Sequence, residues 1–246
     1  LVYSIGTTPV VFPYDFPVGS TTVQVVATDI HGNISSCAFT VVVEDDEFPV
    51  LICPDPGNPH TTDPDQCYTS LSYTATATDN CGVGDILYFI AGQPISFPYH
   101  FPVGSTTVDV MVTDINGNAS TCFFVVVVQD LEHPEVDCPT ILFPYPVDAG
   151  TCTASLSFEA AAADNCGIAS TVYNVDGNPV AFPYNFPVGA TVVTTIVTDI
   201  HGNTSACTFT VEVVDDEEPV VMCPVPMNPY PTDPGVCHAS LSFEAG

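Results

Sequence analysis

Leu71, Tyr73, Ala75 and Ala77 alternate with Ser72, Thr74 and Thr76. A two-residue beat of this kind predicts a half-buried β-strand. Leu156, Phe158, Ala160 and Ala162 repeat it further along. Val108, Val110 and Val112 alternate in the same way and run into Asp114-Ile115-Asn116-Gly117-Asn118. That stretch predicts a hairpin tip, because Asn and Gly tolerate positive φ. The return strand places Phe209, Val211 and Val213 on one side and Thr208, Thr210 and Glu212 on the other. In the preceding copy, residues 122–128 are apolar on both faces, so another segment is expected to cover them, the alternative being a lateral contact. No stretch keeps a helical period. The 24 prolines fall between strands, where a missing N–H does no harm.

These elements recur with a step of 85 residues: Phe16-Pro17-Val18-Gly19 returns at 101–104 and at 186–189. Short strands joined by turns predict an all-β chain of tandem immunoglobulin-like antiparallel β-sandwich repeats, about seven strands each. The expected divisions are 1–45 (the later part of a repeat), 46–130 and 131–215 (complete repeats) and 216–246 (the opening of another). Leu1 and Gly246 both align with mid-repeat positions. The sequence therefore reads as part of a longer polymer, or as a subunit whose last strands complete the first repeat of the next. The block Phe-Pro-Tyr-x-Phe-Pro-Val-Gly is expected to be a bend. Its Tyr14, Tyr99 and Tyr184 are expected to pack rather than to stack against sugars.

Composition narrows the function. There is no Lys or Arg against 29 Asp plus Glu, a formal charge of −29. Electrostatic binding to nucleic acid or to anionic membranes is excluded, and carboxylates have no basic partner. They must be solvated, separated or neutralised by cations, and Ca²⁺ prefers such oxygen ligands. An apolar fraction of 46% still supports a core. No apolar run reaches the ~20 residues of a membrane span. Eleven regularly spaced cysteines without CxxC pairs point to disulfides in an oxidising compartment rather than to zinc.

Several strings occur in order: Pro134-Glu135-Val136-Asp137-Cys138-Pro139, Ala163-Asp164-Asn165-Cys166-Gly167, Phe186-Pro187-Val188-Gly189, Val197-Thr198-Asp199-x-x-Gly202-Asn203 and Cys207-Thr208-Phe209-Thr210-Val211. Together, and in register over the whole chain, they resemble the hyalin repeat (HYR) family. The resemblance implies an immunoglobulin-like sandwich and an extracellular adhesive or scaffolding role. The chain is also similar to the repeats of acidic surface adhesins of gliding Bacteroidota, the setting that the absence of Lys and Arg favours.

Four disulfides are expected. Cys53–Cys122 and Cys138–Cys207 would tie first strand to last, and Cys67–Cys81 and Cys152–Cys166 would close shorter loops. Chain entropy gives ~4 kcal/mol for the long loops and ~3 kcal/mol for the short ones. Pairing of Cys37 with Cys53 across a repeat boundary is the alternative. On the first scheme Cys37, Cys223 and Cys237 have no partner within residues 1–246.

Acidic positions recur at the repeat boundaries: Asp45 and Glu47, Asp130 and Glu132, Asp215 and Glu217. Asp79-Asn80 and Asp164-Asn165 form a second recurring set. A calcium ion gathered from both sets would stiffen the junction; the competing account is that Asp and Asn cap turns. Asp29, Asp114 and Asp199 are assigned to Asx-turns at the hairpin tips, with a role as ligands the lesser alternative. Asn33, Asn118 and Asn203 begin Asn-x-Ser sequons on those tips, which are glycan acceptors in a eukaryotic secreted protein or ordinary turn chemistry otherwise. The six histidines do not keep the period, and no nucleophile–base pair or phosphate loop appears, so the chain is not expected to be an enzyme. The expected function is an extracellular, cell-surface filament or stalk, partnered by copies of the same repeat and by surface glycans or other cell-surface proteins. The rivals are a specific glycan- or protein-binding module and a strand-donating fibre subunit.

Overall fold

The computed structural model describes residues 1–142, 144–226 and 229–244. It divides into two compact units, Leu1–Leu131 and Glu132–Gly246. The described residues hold strands and turns and no helix.

The first unit opens with β1 (Val2–Ile5), β2 (Thr8–Val10), β3 (Gly19–Thr28) and β4 (Ile34–Val43), in one sheet of order β2-β1-β3-β4. A sandwich follows: β5 (Val50–Ile52), β6 (His60–Thr61), β7 (Tyr68–Leu71), β8 (Thr76–Thr78), β9 (Val83–Ile90), β10 (Gln93–Ile95), β11 (Tyr99–Pro102), β12 (Gly104–Asp114) and β13 (Ala119–Gln129). Its main sheet runs β10-β9-β12-β13-β6, faced by the pairs β11-β7 and β5-β8. The hairpin β12–β13 is antiparallel from Gly104↔Val128 to Thr113↔Ala119. β6 joins β13 in parallel, so the sheet is not wholly antiparallel.

The expected alternation builds the core. Val108, Val110, Phe124, Val126 and Val128 face inward with Phe101 and Ala75. Fully burying a side chain such as Phe101 contributes ~1.5–3 kcal/mol. Tyr73 sits among Phe97, Phe101 and Phe124 with centroids 5.8, 6.0 and 5.0 Å away, in edge-on contacts. The buried amide of Ala75 donates to the Tyr88 hydroxyl at 2.8 Å.

Three expectations need correction. Residues 71–77 alternate in burial, yet they are not one strand: β7 pairs with β11 and β8 with β5, so the chain changes partner between them. The Phe-Pro-Tyr block is not only a bend; a turn at 97–98 hands over to β11, which buries Phe101 completely. The repeat therefore has nine strands rather than about seven, because the predicted strand over 71–77 is cut in two and the predicted bend carries a strand of its own. The apolar return strand is covered at its later positions: Asn58 donates to the Val125 carbonyl and accepts from the Val127 amide. Phe123 remains 66% exposed.

The second unit repeats the plan with β14 (Glu135–Asp137), β15 (Tyr145–Pro146), β16 (Thr153–Leu156), β17 (Ala161–Ala163), β18 (Ile168–Val175), β19 (Asn178–Val180), β20 (Tyr184–Pro187), β21 (Gly189–Asp199) and β22 (Thr204–Val214). Its main sheet is β15-β22-β21-β18-β19, with β16-β20 and β14-β17 opposite. Phe158 takes the place of Tyr73, 5.8, 5.9 and 5.3 Å from Phe182, Phe186 and Phe209. The amide of Ala160 donates to the Tyr173 hydroxyl at 2.9 Å. No strand follows Val214 among the described residues.

Cys53–Cys122 and Cys138–Cys207 form as expected, with Cα separations of 6.1 and 5.9 Å. The Cys67–Cys81 and Cys152–Cys166 bridges do not. Cys81 and Cys152 are thiols, whereas Cys67 and Cys166 are disulfide-bonded elsewhere. The reason is distance. Cys67 precedes β7, whose Tyr68 lies opposite Pro102, just before β12 begins. Cys81 lies beside Gly82, whose carbonyl accepts from Ile115 just after β12 ends. An eleven-residue strand at ~3.3 Å per residue puts those places some ~35 Å apart, far beyond a disulfide's reach.

Candidate metal centre at a repeat junction

Each hairpin tip is closed by an aspartate and an asparagine four residues on. The Asp114 amide donates to the Asn118 carbonyl at 3.0 Å, and Asp29 with Asn33 and Asp199 with Asn203 do the same at 3.0 Å. Gly117 (φ 106°) lets the loop turn back. Asp114 Oδ1 then accepts the amides of Asn116, Gly117 and Asn118 at 2.8, 2.6 and 2.9 Å. Its Oδ2 accepts Asn118 Nδ2 at 2.8 Å. Burial pushes the Asp114 carboxyl up, but these bonds outweigh it and hold the group below the usual carboxylate range. Asp199 is lowered against burial in the same way by Asn203, His201 and Gly202. The Asx-turn assignment is correct for Asp29, Asp114 and Asp199 alike.

Asp114 has a second position to fill. Carboxylate oxygens of Asp45, Asp79 and Asp114 lie within 4.8 Å of one another. Asp79 Oδ1 accepts the amides of Cys81 and Gly82, both at 2.8 Å. Its Oδ2 is buried and has no hydrogen-bond partner. Asp45 is held by the same tip: Asn116 Nδ2 donates to its Oδ2 at 2.6 Å. The Cys81 thiol is raised by burial, then by its hydrogen bond to Asp45 and by the charges of Asp45, Asp79 and Asp114.

Of the expected ligands, Asp45 and Asp79 come together; Glu47 and Asn80 are exposed and stand outside the cluster. Asp114 takes their place, and the signal for it was the shared 85-residue step: Asp130, Asp164 and Asp199 occupy the corresponding positions one period later. Within the second unit Asp164 repeats the geometry of Asp79. Its Oδ1 accepts from Cys166 and Gly167 at 2.9 Å each, and its Oδ2 is buried without a partner. Asp130 is buried in the first unit, 6% exposed. Glu132 and Asn165 are not among the cluster's counterparts. Asp215 and Glu217 are exposed; Glu217 instead accepts the Gly150 amide at 2.9 Å, which fixes the loop before β16.

Three carboxylates, a buried unpaired oxygen and no Lys or Arg anywhere in the chain form a hard, anionic donor set. It fits a divalent cation such as Ca²⁺, with carbonyls or water completing six to eight ligands. The sequon amides of Asn33, Asn118 and Asn203 are engaged in the turns, each donating to its aspartate at 2.7, 2.8 and 2.7 Å. Tyr14, Tyr99 and Tyr184 pack edge-on against Phe16, Phe101 and Phe186 with centroids 5.0, 4.9 and 4.9 Å apart.

The chain is similar to known proteins along most of its length. It is 38% identical over 218 residues to "Hyalin" of Strongylocentrotus purpuratus, covering 85% of this chain and 17% of that one. It is 35% identical over 215 residues to "Hyalin" of Lytechinus variegatus, covering 84% and 39%. The chain thus spans well under half of either relative. A protocadherin gammaB7 EC3-6 cis-dimer structure aligns with a TM-score of 0.34 and 14% identity, covering 88% of this chain and 62% of that one. That likeness is too distant to carry an argument. The HYR domain family model matches residues 13–43, 44–128 and 129–213 in unbroken succession, so the chain belongs to the HYR domain family.

Proposed function

We propose that this chain is a stretch of an extracellular, non-enzymatic array whose HYR repeats act mechanically, as a filament or stalk at a cell surface. Copies of the same repeat are its first partners, and surface glycans or other cell-surface proteins are what it adheres to. The acidic composition favours the surface of a gliding bacterium as its setting. Calcium or a similar divalent cation stiffens the junction before residues 46–130 by binding Asp45, Asp79 and Asp114. The observation that carries this reading is the buried, unpartnered Asp79 Oδ2 between two other carboxylates in a chain without basic residues. A cation there relieves the repulsion and couples the linker at Asp45 to the hairpin tip at Asp114.

Thermal melting with Ca²⁺ and with EDTA, together with small-angle scattering, tests it. Calcium is expected to raise the melting temperature and narrow the distribution of chain dimensions. Asp79→Asn is expected to abolish both responses. An unchanged melting curve in EDTA removes the cation from the reading.

A further inference from the structure

The main sheet of residues 46–130 has an outer face as well as an inner one. Val108 and Val110 point into the core, so Asp109 between them points out. Asp109 lies opposite Phe123 on β13 and opposite Phe89 on β9. Residues directly opposite one another share a face, so the three side chains form one row on the solvent side. Phe123 is 66% exposed, Asp109 is exposed and Phe89 is half-buried. Neighbouring strands lie about 4.8 Å apart, so the two aromatic residues stand about 10 Å apart with the shorter carboxylate between them. Leu87 and Met111 form the next row of the same face, and Leu87 is 45% exposed.

The fold does not require this row. One period earlier the same register positions hold Ser4, Gln24 and Ala38. One period later they hold Asn174, Thr194 and Thr208. Both of those rows are small or polar, as a solvated sheet face is expected to be. The core pair beneath is the same in all three copies: Val23 opposite Phe39, Val108 opposite Phe124 and Val193 opposite Phe209. The neighbouring outer row also stays apolar throughout, with Val2 opposite Val26 and Val172 opposite Ile196. Two phenyl rings and a carboxylate therefore stand on the outside of one repeat, at positions where its neighbours do without them.

Such a row fits a cation that also has a flat apolar surface. The carboxylate supplies the opposite charge, and the electron-rich face of a phenyl ring attracts a cation placed over it. A guanidinium uses both, because its N–H fork bonds a carboxylate while its plane stacks on a ring. An ammonium is a more strongly hydrated point charge and gains less from the rings. Leu87 and Met111 give the aliphatic stem of such a side chain an apolar surface to lie on. The overall charge agrees: at −29 the chain attracts a basic partner and repels an acidic one. A second copy of these residues cannot supply the group, because they contain no Lys or Arg.

We propose that Phe89, Asp109 and Phe123 form a binding site for an arginine side chain presented by a different, basic protein. Residues 46–130 are then the recognising repeat, and residues 131–215, with Asn174, Thr194 and Thr208 in the row, are a spacer. The inference gives the adhesive reading a partner chemistry. It rests on β9, β12 and β13 alone and not on the cation at Asp114. The melting response to Ca²⁺ is a separate readout, so either reading can fail without the other.

The test titrates the full 246-residue chain, at physiological salt, with the capped peptide Leu-Gly-Arg-Gly-Leu and follows backbone amide shifts by NMR. Saturable shifts are expected at Phe89, Asp109 and Phe123 and not at Asn174, Thr194 and Thr208. Citrulline in place of the arginine keeps the shape, removes the charge and is expected to abolish them. Asp109→Asn and Phe123→Thr are each expected to weaken binding about tenfold. Both lie on the solvent side, and Thr208 already holds threonine in that register, so folding is spared. Glu212→Gln removes a charge from the corresponding face of the second unit and is expected to change nothing, which separates the site from diffuse attraction to an acidic surface. Shifts that do not saturate, or an equal loss in Glu212→Gln and Asp109→Asn, overturn the proposal. So does binding of cellohexaose at these amides without binding of the peptide. Self-association that Phe123→Thr removes overturns it as well, because the face is then a contact between copies.

Discussion

Asn118 Nδ2 donates to the backbone carbonyl of Asp45 at 3.1 Å, across 73 residues of sequence. The same amide donates to Asp114 Oδ2 at 2.8 Å, so one side chain closes the hairpin tip and fastens the linker to it. Asn118→Ala removes both bonds and leaves part-buried acceptors behind. A loss of about 1–3 kcal/mol is expected in urea unfolding. Asn203→Ala tests the tip alone in the second unit, through its bond to Asp199.

The lowered carboxyl of Asp114 links stability to pH. Its folded value lies below that of the unfolded chain, near 4. Its contribution is therefore complete above that unfolded value and is lost as the pH falls through the lowered folded value. Melting temperature is expected to drop steeply on acidification below about pH 4. Asp114→Asn, which still offers an amide oxygen to the tip, is expected to flatten that drop. An equally steep acid limb in the variant refutes the assignment.

The tyrosine bonds inside the two sandwiches give a paired comparison. Tyr88→Phe and Tyr173→Phe each leave a buried amide, that of Ala75 or Ala160, without its acceptor. Each is expected to destabilise its own unit by about 1–3 kcal/mol with little change in volume. Unfolding followed by chemical denaturation reads both, and a null effect in either unit contradicts the geometry.

Thiol chemistry checks the corrected disulfide pattern. Alkylation of the native chain is expected to label Cys152 rapidly and Cys81 slowly, because burial and the Asp45 carboxylate disfavour the Cys81 thiolate. Asp45→Asn is expected to speed the Cys81 reaction. A Cys67–Cys81 bridge would show instead as complete resistance at Cys81.

Much of this fold was legible. The alternation at Val108, Val110 and Val112 located β12, and Asp114 to Asn118 located its turn, because both signals are local. The Cys53–Cys122 pairing followed from tying the first strand of the sandwich to its last, which lie in the two facing sheets. The error at Cys67 and Cys81 arose from treating sequence proximity as spatial proximity, although the chain between them runs the length of the sandwich. The switch of partner between β7 and β8 was hidden because burial keeps its two-residue beat through the break. At the candidate cation site Asp45 and Asp79 were legible from their period. Asp114 was assigned first to the turn and only second to a ligand role, since a turn explains its position fully until Asp45 is folded against it.

The Cys53–Cys122 bridge, spanning 69 positions, also sets how a repeat responds to tension. A pull on the chain enters before β5, crosses the sulfur bond and leaves along β13. Residues 54–121 lie off that load path. Stretching extends only the short flanks, so a chain of such repeats is close to inextensible until its covalent bonds are reduced.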